Sequence, residues 1–263
     1  AAAVFLKGSG GVTLDRYLRK ESAKSPAEKL FLMAIPTTAG TGSEVTPFAT
    51  VWDSVQQKKF SLAGDMVFPS MAILDPVLTA GVPPDVTLYT GLDVISHSLE
   101  SIWNRNSSPV SEAYAIQALH LSLKALPLVL EDGNNLAARG EMQWASTLAG
   151  LAISQTRTAI AHSISYPLTL KFGVPHGLAC GFTLESLIDV YIQRGDAKKN
   201  FINLLNDLKA LLGQFKLKEK TTGYASLEQV KQLVGDMYNP ARADNYIYKA
   251  DETFILNVLT GSL

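Results

Sequence analysis

Cysteine is almost absent from these 263 residues: Cys180 stands alone, which excludes an internal disulfide and suits a reducing cytoplasm. An excess of one charge is lacking too. The formal balance is −1, and the basic residues are scattered apart from a lysine-rich piece at 216–220 that reads as a solvated loop. Neither a nucleic-acid footprint nor a polybasic membrane patch is indicated. No uninterrupted apolar run approaches the ~18 residues of a membrane-spanning helix, and the opening AAAVFLKGSGG has no charged region ahead of an apolar core. The chain is therefore read as soluble, untargeted and cytoplasmic. Also missing are a G-x-G-x-x-G fingerprint, a Walker loop, an internal repeat and a low-complexity linker. Histidine is scarce, with four in the chain, so where they fall is informative.

Apolar residues are plentiful at 47%, enough to bury a substantial core in one large domain or two. Up to about Pro76 the pattern is α/β: a glycine-rich link at 8–11, an amphipathic piece at 14–21, and apolar runs at 30–35, 49–53 and 71–74 that suit strands. The run at 30–35 is apolar throughout, which predicts a strand covered on both faces, and Pro36 stops its ladder. Thr37, Thr38, Gly40, Thr41, Gly42 and Ser43 follow. Such a turn offers backbone N–H groups and small donors at a strand's carboxyl end, where open α/β sheets bind their ligands. A phosphate or ribose fits it, and so does a plain tight turn.

Beyond Asp75-Pro76 the chain turns to long Ala/Leu segments with helical spacing. Asp85 is expected to cap a helix running to about 103, with Leu88, Leu92, Ile95 and Leu99 as its apolar stripe. Ser111 is expected to cap another to 123, with Pro127 kinking or ending it. One or two packed helices are expected over 135–166, Pro175 opens the next, and others follow near 197–212, 226–238 and 251–259.

All four histidines lie in this helical half, and three of them, His97, His162 and His176, draw attention. Asp93 and His97 are one turn apart on a face offset from the leucine stripe, so they can point at one thing. His162 sits in an apolar run, and His176 follows fourteen positions later, just after Pro175. Each alone reads equally well as a hydrogen-bonded core histidine. With Asp93 they make an N₃O set suited to Fe²⁺ or Zn²⁺, with room for a substrate oxygen. His120 has no carboxylate three or four residues away and is read as structural.

The succession PTTAGTGSE, ILDP, GLDVISHSLES and AHSISYPLTLKFGVPHGLACG strongly resembles the iron-containing (group III) alcohol dehydrogenases, whose fold is shared with dehydroquinate synthase and glycerol dehydrogenase. The resemblance implies an α/β cofactor domain over 1–78 followed by an all-helical metal-binding domain over 79–263. It implies Asp93, His97, His162 and His176 as metal ligands, and Thr37, Thr38 and Thr41 along an NAD or NADP cofactor. Lys59 falls where the family often keeps a lysine near the ribose, though an exposed lysine beside Lys58 is the other reading. Leu74 would lie near the nicotinamide. The family's Gly-Gly-Gly-Ser diphosphate loop does not occur here, so the α/β part is read as the remnant of a dinucleotide-binding domain truncated at its N-terminus. Where many members carry another histidine, one turn beyond the third ligand, this chain has Tyr166, a donor to substrate or ribose.

ESIWNRNSSPVSEAY and SQTRTAIAHSISYP resemble more narrowly the phosphonoacetaldehyde reductases. A phosphonate dianion needs a guanidinium or a ring of donors, which points to Arg157 with Thr156 and Thr158; on a regular helix Arg157 would stand about 140° from His162, and a helix-surface arginine is the alternative. The implied activity is interconversion of an alcohol and an aldehyde or ketone with a nicotinamide cofactor. The alternatives are a dehydroquinate synthase-like lyase or cyclase, or an inactive helical metal-binding fragment. The expected partner is a small alcohol or aldehyde, with no nucleic acid and no membrane. The sequence leaves the assembly open, a homodimer being the expected one.

Overall fold

The computed structural model describes residues 16, 18, 19, 31–53 and 58–263; side chains at 52, 53, 58, 59 and 200 are outside the description. The glycine-rich link at 8–11 and most of the piece at 14–21 therefore lie outside the described residues. The chain forms two compact units, Ala1–Pro36 with Ser43–Asp75, and Thr37–Gly42 with Pro76–Leu263.

In the first unit, β1 (Met33–Ala34) runs parallel to β4 (Met71–Ala72), Met33 opposite Met71. Between them β2 (Phe48–Asp53) and β3 (Lys58–Ala63) form an antiparallel hairpin with Trp52 opposite Lys59. The strand expected over 30–35 is shorter than its apolar run and is not covered on both faces: Phe31 is 69% exposed, and Met33 and Ile35 are exposed too. Among the described residues only β4 pairs with it, and a strand needs a layer on each face to bury both. Strand β3 went unread because KKFSLA opens on two lysines. Its Leu62 closes with Val67, Ala49 and Leu18 into a small core.

In the second unit, α1 (Pro84–Ile102) is buried on every side from Gly91 onward, as a central helix must be. Pro83 occupies its cap and Pro84 the first helical position, so Asp85 is no cap; it sits exposed in the first turn, where a negative charge still favours the helix dipole. Helix α2 (Pro109–Glu131) is capped by Ser108, not Ser111. Ser111 instead completes a reciprocal box, its N–H donating to Ser108 Oγ at 3.2 Å while its Oγ accepts from the Ser108 N–H at 2.9 Å. Pro127 does not end α2. Leu126 and Val129 are buried around it, and that burial offsets a proline cost of about 3 kcal/mol. By length and composition α2 is the one helix among the described residues that could cross a membrane; it packs between α1 and the next helix.

Helix α3 (Leu136–Thr156) starts from Asn135, whose Oδ1 accepts from the Ala138 N–H at 3.1 Å. After it come α4 (Ile160–Phe172) and the short α5 (His176–Gly181). An outer set follows: α6 (Leu184–Gln193), α7 (Lys199–Gln214), α8 (Leu217–Thr222), α9 (Leu227–Lys231), α10 (Val234–Met237), α11 (Pro240–Ala243) and α12 (Glu252–Ser262). The lysine-rich piece at 216–220 belongs largely to α8 rather than to a solvated loop, because Leu217 and Thr221, one turn apart, are both buried. The segment expected over 226–238 is split into α9 and α10.

The glycines of PTTAGTGSE have a packing reason. A Cβ on Gly40 would lie 2.7 Å from Thr90 Cβ, and one on Gly42 would lie 2.5 Å from the Gly150 Cα. Gly42 also has φ +57°, and its N–H donates to Ser146 Oγ at 3.3 Å. The turn is thus pressed onto α1 and α3, with Thr37 and Thr41 left exposed and Thr38 half-buried.

Candidate metal centre

Asp93, His97 and Glu100 follow at steps of four and three on α1, a spacing that puts them on one face. His162 comes from the first turn of α4, and His176 and Cys180 from α5, again one turn apart. What brings α5 there is its pair of glycines. A Cβ on Gly177 would fall 1.7 Å from the Tyr89 carbonyl oxygen, and one on Gly181 would fall 3.0 Å from Leu92 Cβ. Both glycines face α1, so the short helix lies directly on it, and the residue ahead of each glycine is delivered to Asp93.

The result is a tight convergence. Asp93 Oδ1 lies 3.5 Å from His97 Nε2, 3.4 Å from His162 Nε2 and 3.8 Å from His176 Nε2. The His97 and His162 rings stack with centroids 4.8 Å apart, and His176 meets His162 edge-on at 5.2 Å. Asp93, His162, His176 and Cys180 form a group whose donor atoms all lie within 4.8 Å of one another. Asp93 Oδ1, His162 Nε2 and His97 Nδ1 are buried with no hydrogen-bond partner. A buried carboxylate oxygen surrounded by nitrogens and left without a hydrogen bond is costly. A bound cation removes the cost. Four ligands at about 2.0–2.3 Å from a tetrahedral ion stand about 3.3–3.8 Å apart, and the Asp93 spacings of 3.4–3.8 Å are of that size. The residues therefore fit a divalent cation.

Glu100 sets the chemistry of His162. Its Oε2 is 2.5 Å from His162 Nδ1 and its Oε1 accepts from the His162 backbone N–H at 3.2 Å, an arrangement that in the neutral ring holds the proton at Nδ1 and leaves Nε2 toward Asp93 free to ligate. Burial pushes the Glu100 carboxyl up, but the charge and hydrogen bond of His162 outweigh it and hold the group below its ordinary value. His162 goes the other way: burial lowers it, while Cys180, Glu100 and Asp93 together raise it well above the ordinary imidazole. Burial drives His97 down to about 4 against the pull of Asp93. Asp93 is held low despite burial, chiefly by His97.

Access is from one side. The His176 side chain is 33% exposed, whereas those of Asp93, His97 and His162 are nearly fully covered. Beside that opening the Tyr166 ring stacks on His176 at 6.2 Å, and Tyr166 Oη accepts from Arg242 Nε at 3.2 Å. Arg242 is half-buried and forms no ion pair among the described residues.

All four expected ligands and Tyr166 are thus gathered. Arg157 is not. It is exposed at the C-terminal cap of α3, and among the described residues its side chain makes no hydrogen bond or ion pair; its backbone N–H donates to the Ile153 carbonyl at 2.8 Å, and its carbonyl accepts from Asn104 Nδ2 at 3.2 Å and Thr156 Oγ1 at 3.0 Å. Leu74 is half-buried in the first unit, and the Lys59 side chain lies outside the described residues. Sequence reasoning missed Glu100, Cys180 and Arg242. The first two were legible in principle as helical neighbours of residues already singled out, seven after Asp93 and four after His176. Arg242 had no signal, being brought near only by the outer helices.

A buried Asp/His cluster of this kind in a helical unit, behind a Thr/Gly turn, defines a metal-binding protein of α/β-plus-helical architecture. Residues 87–255 match the Fe-containing alcohol dehydrogenase family, C-terminal, and residues 1–76 match iron-containing alcohol dehydrogenase. The chain belongs to that family. It is 41% identical over 192 residues to a phosphonoacetaldehyde reductase of Streptomyces viridochromogenes, covering 71% of this chain and 48% of that protein. A 1-propanol dehydrogenase of Citrobacter freundii is 41% identical over 169 residues, 64% of this chain and 46% of that one. The crystal structure of sulfoacetaldehyde reductase from Bifidobacterium kashiwanohense in complex with NAD⁺ is similar with a TM-score of 0.80 at 31% identity, covering 92% of this chain and 67% of that one. The chain spans about half the length of the curated relatives it matches.

Proposed function

We propose that this chain carries the metal site of a nicotinamide-dependent oxidoreductase that interconverts a small aldehyde and its alcohol. In this reading Asp93, His97, His162 and His176 hold a divalent cation, Fe²⁺ or Zn²⁺. The observation that carries it is the orphaned Asp93 Oδ1 facing three imidazole nitrogens at 3.4–3.8 Å. Bound there, such a cation would supply Lewis acidity toward a substrate oxygen, and a nicotinamide cofactor would supply the hydride chemistry. Glu100 keeps His162 in its ligating tautomer. The apolar packing of α1, α4 and α5 excludes water and fixes the donors in advance. Thr37, Thr38 and Thr41 are the proposed cofactor-facing donors, and the exposure of Thr37 and Thr41 supports that role.

The proposed substrate class is an aldehyde with an anion at its far end, phosphonoacetaldehyde being the candidate. The support is Arg242, an unpaired guanidinium held on Tyr166 beside the exposed edge of His176. Arg157, at the surface, is set aside for this role. A cytoplasmic location is the reading that suits the free thiol of Cys180.

Elemental analysis of the anaerobically purified protein tests the reading, with about one Fe or Zn per chain expected and loss of that metal in the His162→Ala variant. Full metal content in His162→Ala, or none in the wild type after reconstitution, would overturn it. Oxidation of NADH or NADPH by phosphonoacetaldehyde, followed at 340 nm, tests the substrate.

A further inference from the structure

Arg242 sits on α11, a helix of a single turn, and one turn cannot hold its own position in water. Its place is set by α4, the helix that carries His162 and Tyr166. Ser163, the residue after His162, is fully buried, and its Oγ makes two hydrogen bonds to the stretch of chain that leads into α11. It donates to the Met237 carbonyl at 2.6 Å and accepts from the Asn239 N–H at 2.9 Å. One hydroxyl thus satisfies two backbone groups on either side of Tyr238 and ties that stretch to α4. Asn239 then caps α11, its Oδ1 accepting from the Ala241 N–H at 3.0 Å, and Pro240 takes the first helical position.

The far end is tied as well. Asn245 Nδ2 donates to the Thr158 carbonyl at 2.8 Å, just ahead of α4, and to the Ala241 carbonyl at 3.3 Å. Between the two ties Ala243 is buried and Arg242 Nε donates to Tyr166 Oη at 3.2 Å. Arg242 Nη1 folds back onto the Ala241 carbonyl at 3.0 Å, and Nη2 makes no hydrogen bond among the described residues.

We infer that Ser163 and Asn245 are positioning residues for the anionic end of the substrate: they fix α11 to α4 from both sides, so that the Arg242 guanidinium keeps one separation from His162. The inference rests on the role proposed for Arg242 and adds what makes that role selective. A guanidinium on a loose surface turn accepts an anion at any reach. One carried by the same helix as a metal ligand selects a single spacing between carbonyl and anion, and its ordering is complete before the substrate arrives.

The probe is 2-hydroxyethylphosphonate, the alcohol of phosphonoacetaldehyde, titrated calorimetrically into the zinc-loaded protein. Ser163→Ala and Asn245→Ala should each weaken its binding about tenfold, the lower end of what loss of the Arg242 hydrogen bond itself would cost. In an Arg242→Gln background neither change should weaken binding further, because nothing is left to position. A part in stability alone would lower the melting point and leave the affinity where it was. Asn245 lies away from the metal ligands, so Asn245→Ala decides the outcome if Ser163→Ala fails to fold or to keep zinc. Wild-type affinity in either folded, zinc-loaded variant, or losses that add in full to that of Arg242→Gln, would overturn the positioning role while leaving Arg242 as the contact for the anion. Wild-type affinity in Arg242→Gln, or no binding of the phosphonate by the wild type, would overturn both.

Discussion

Glu100 grips His162 at two points, its Oε2 against ring Nδ1 at 2.5 Å and its Oε1 on the backbone N–H at 3.2 Å. Ring tautomer and helix position are therefore set by one carboxylate. Glu100→Gln keeps the shape and removes the charge, and we expect metal affinity to fall by about 10–100-fold with the helical spectrum unchanged. Chelator competition measures the affinity. Glu100→Ala should be far harsher, at about 3–5 kcal/mol of stability, because it leaves His162 buried without its partner.

Gly177 is expected to tolerate no side chain. Gly177→Ala would set a methyl 1.7 Å from a backbone oxygen, so α5 must move away from α1. The expected cost is about 3 kcal/mol, the upper range for an overpacked interior, with loss of metal retention. Gly213→Ala is the matched control. Its nearest atom would be Glu185 Oε2 at 4.0 Å, and the change should stabilise α7 by about 0.5–1 kcal/mol. Chemical denaturation of both variants checks the contrast.

Acid stability of the metal-free protein should follow His97. The unfolded imidazole titrates near 6.5 and the folded one is pushed by burial to about 4. Between those values the unfolded chain binds the additional proton, so the stabilisation present above pH 6.5 is lost as pH falls toward 4. Calorimetry in the presence of a chelator should show the melting point dropping across that window. The slope should flatten in His97→Gln.

Arg157 should prove dispensable for catalysis and mildly harmful to stability. Its backbone has φ 64° and ψ 175°, a region that glycine alone occupies readily, at a cost of order 1–3 kcal/mol for other residues. Arg157→Gly is expected to raise the melting point by about 2–4 °C per kcal/mol relieved, with metal content unchanged. A specific loss of turnover on the phosphonate substrate would instead return Arg157 to the substrate site.

Arg242 carries the opposite expectation. Arg242→Gln should raise KM for an aldehyde bearing a phosphonate or sulfonate by about 10–100-fold, the worth of one charge-assisted hydrogen bond, and leave propanal nearly unaffected. Steady-state kinetics on the two substrates checks it.

The α1 pair Asp93 and His97 was legible because a four-residue step fixes a shared helix face whatever the surroundings. The helical character of the chain beyond Pro76, and the change there from strand-like to Ala/Leu-rich segments, were legible for the same reason: local periodicity needs no partner to be read. Propensity misled where packing opposed it, as at Pro127, which stays inside α2 because its neighbours are buried, and at 216–220, drawn into a helix by Leu217 and Thr221.

The sequence by itself determined which side chains were chemically able to meet, three scarce histidines and one aspartate at helical spacings, together with the family they mark. Only the tertiary structure decided that they do meet, and in what company. Two glycines let α5 lie on α1, so Cys180 arrives with His176 and Glu100 is left facing His162. The reason is physical: spacing along one helix is a local property, whereas a contact between helices depends on which backbones can approach, and a single Cβ at Gly177 is enough to forbid it.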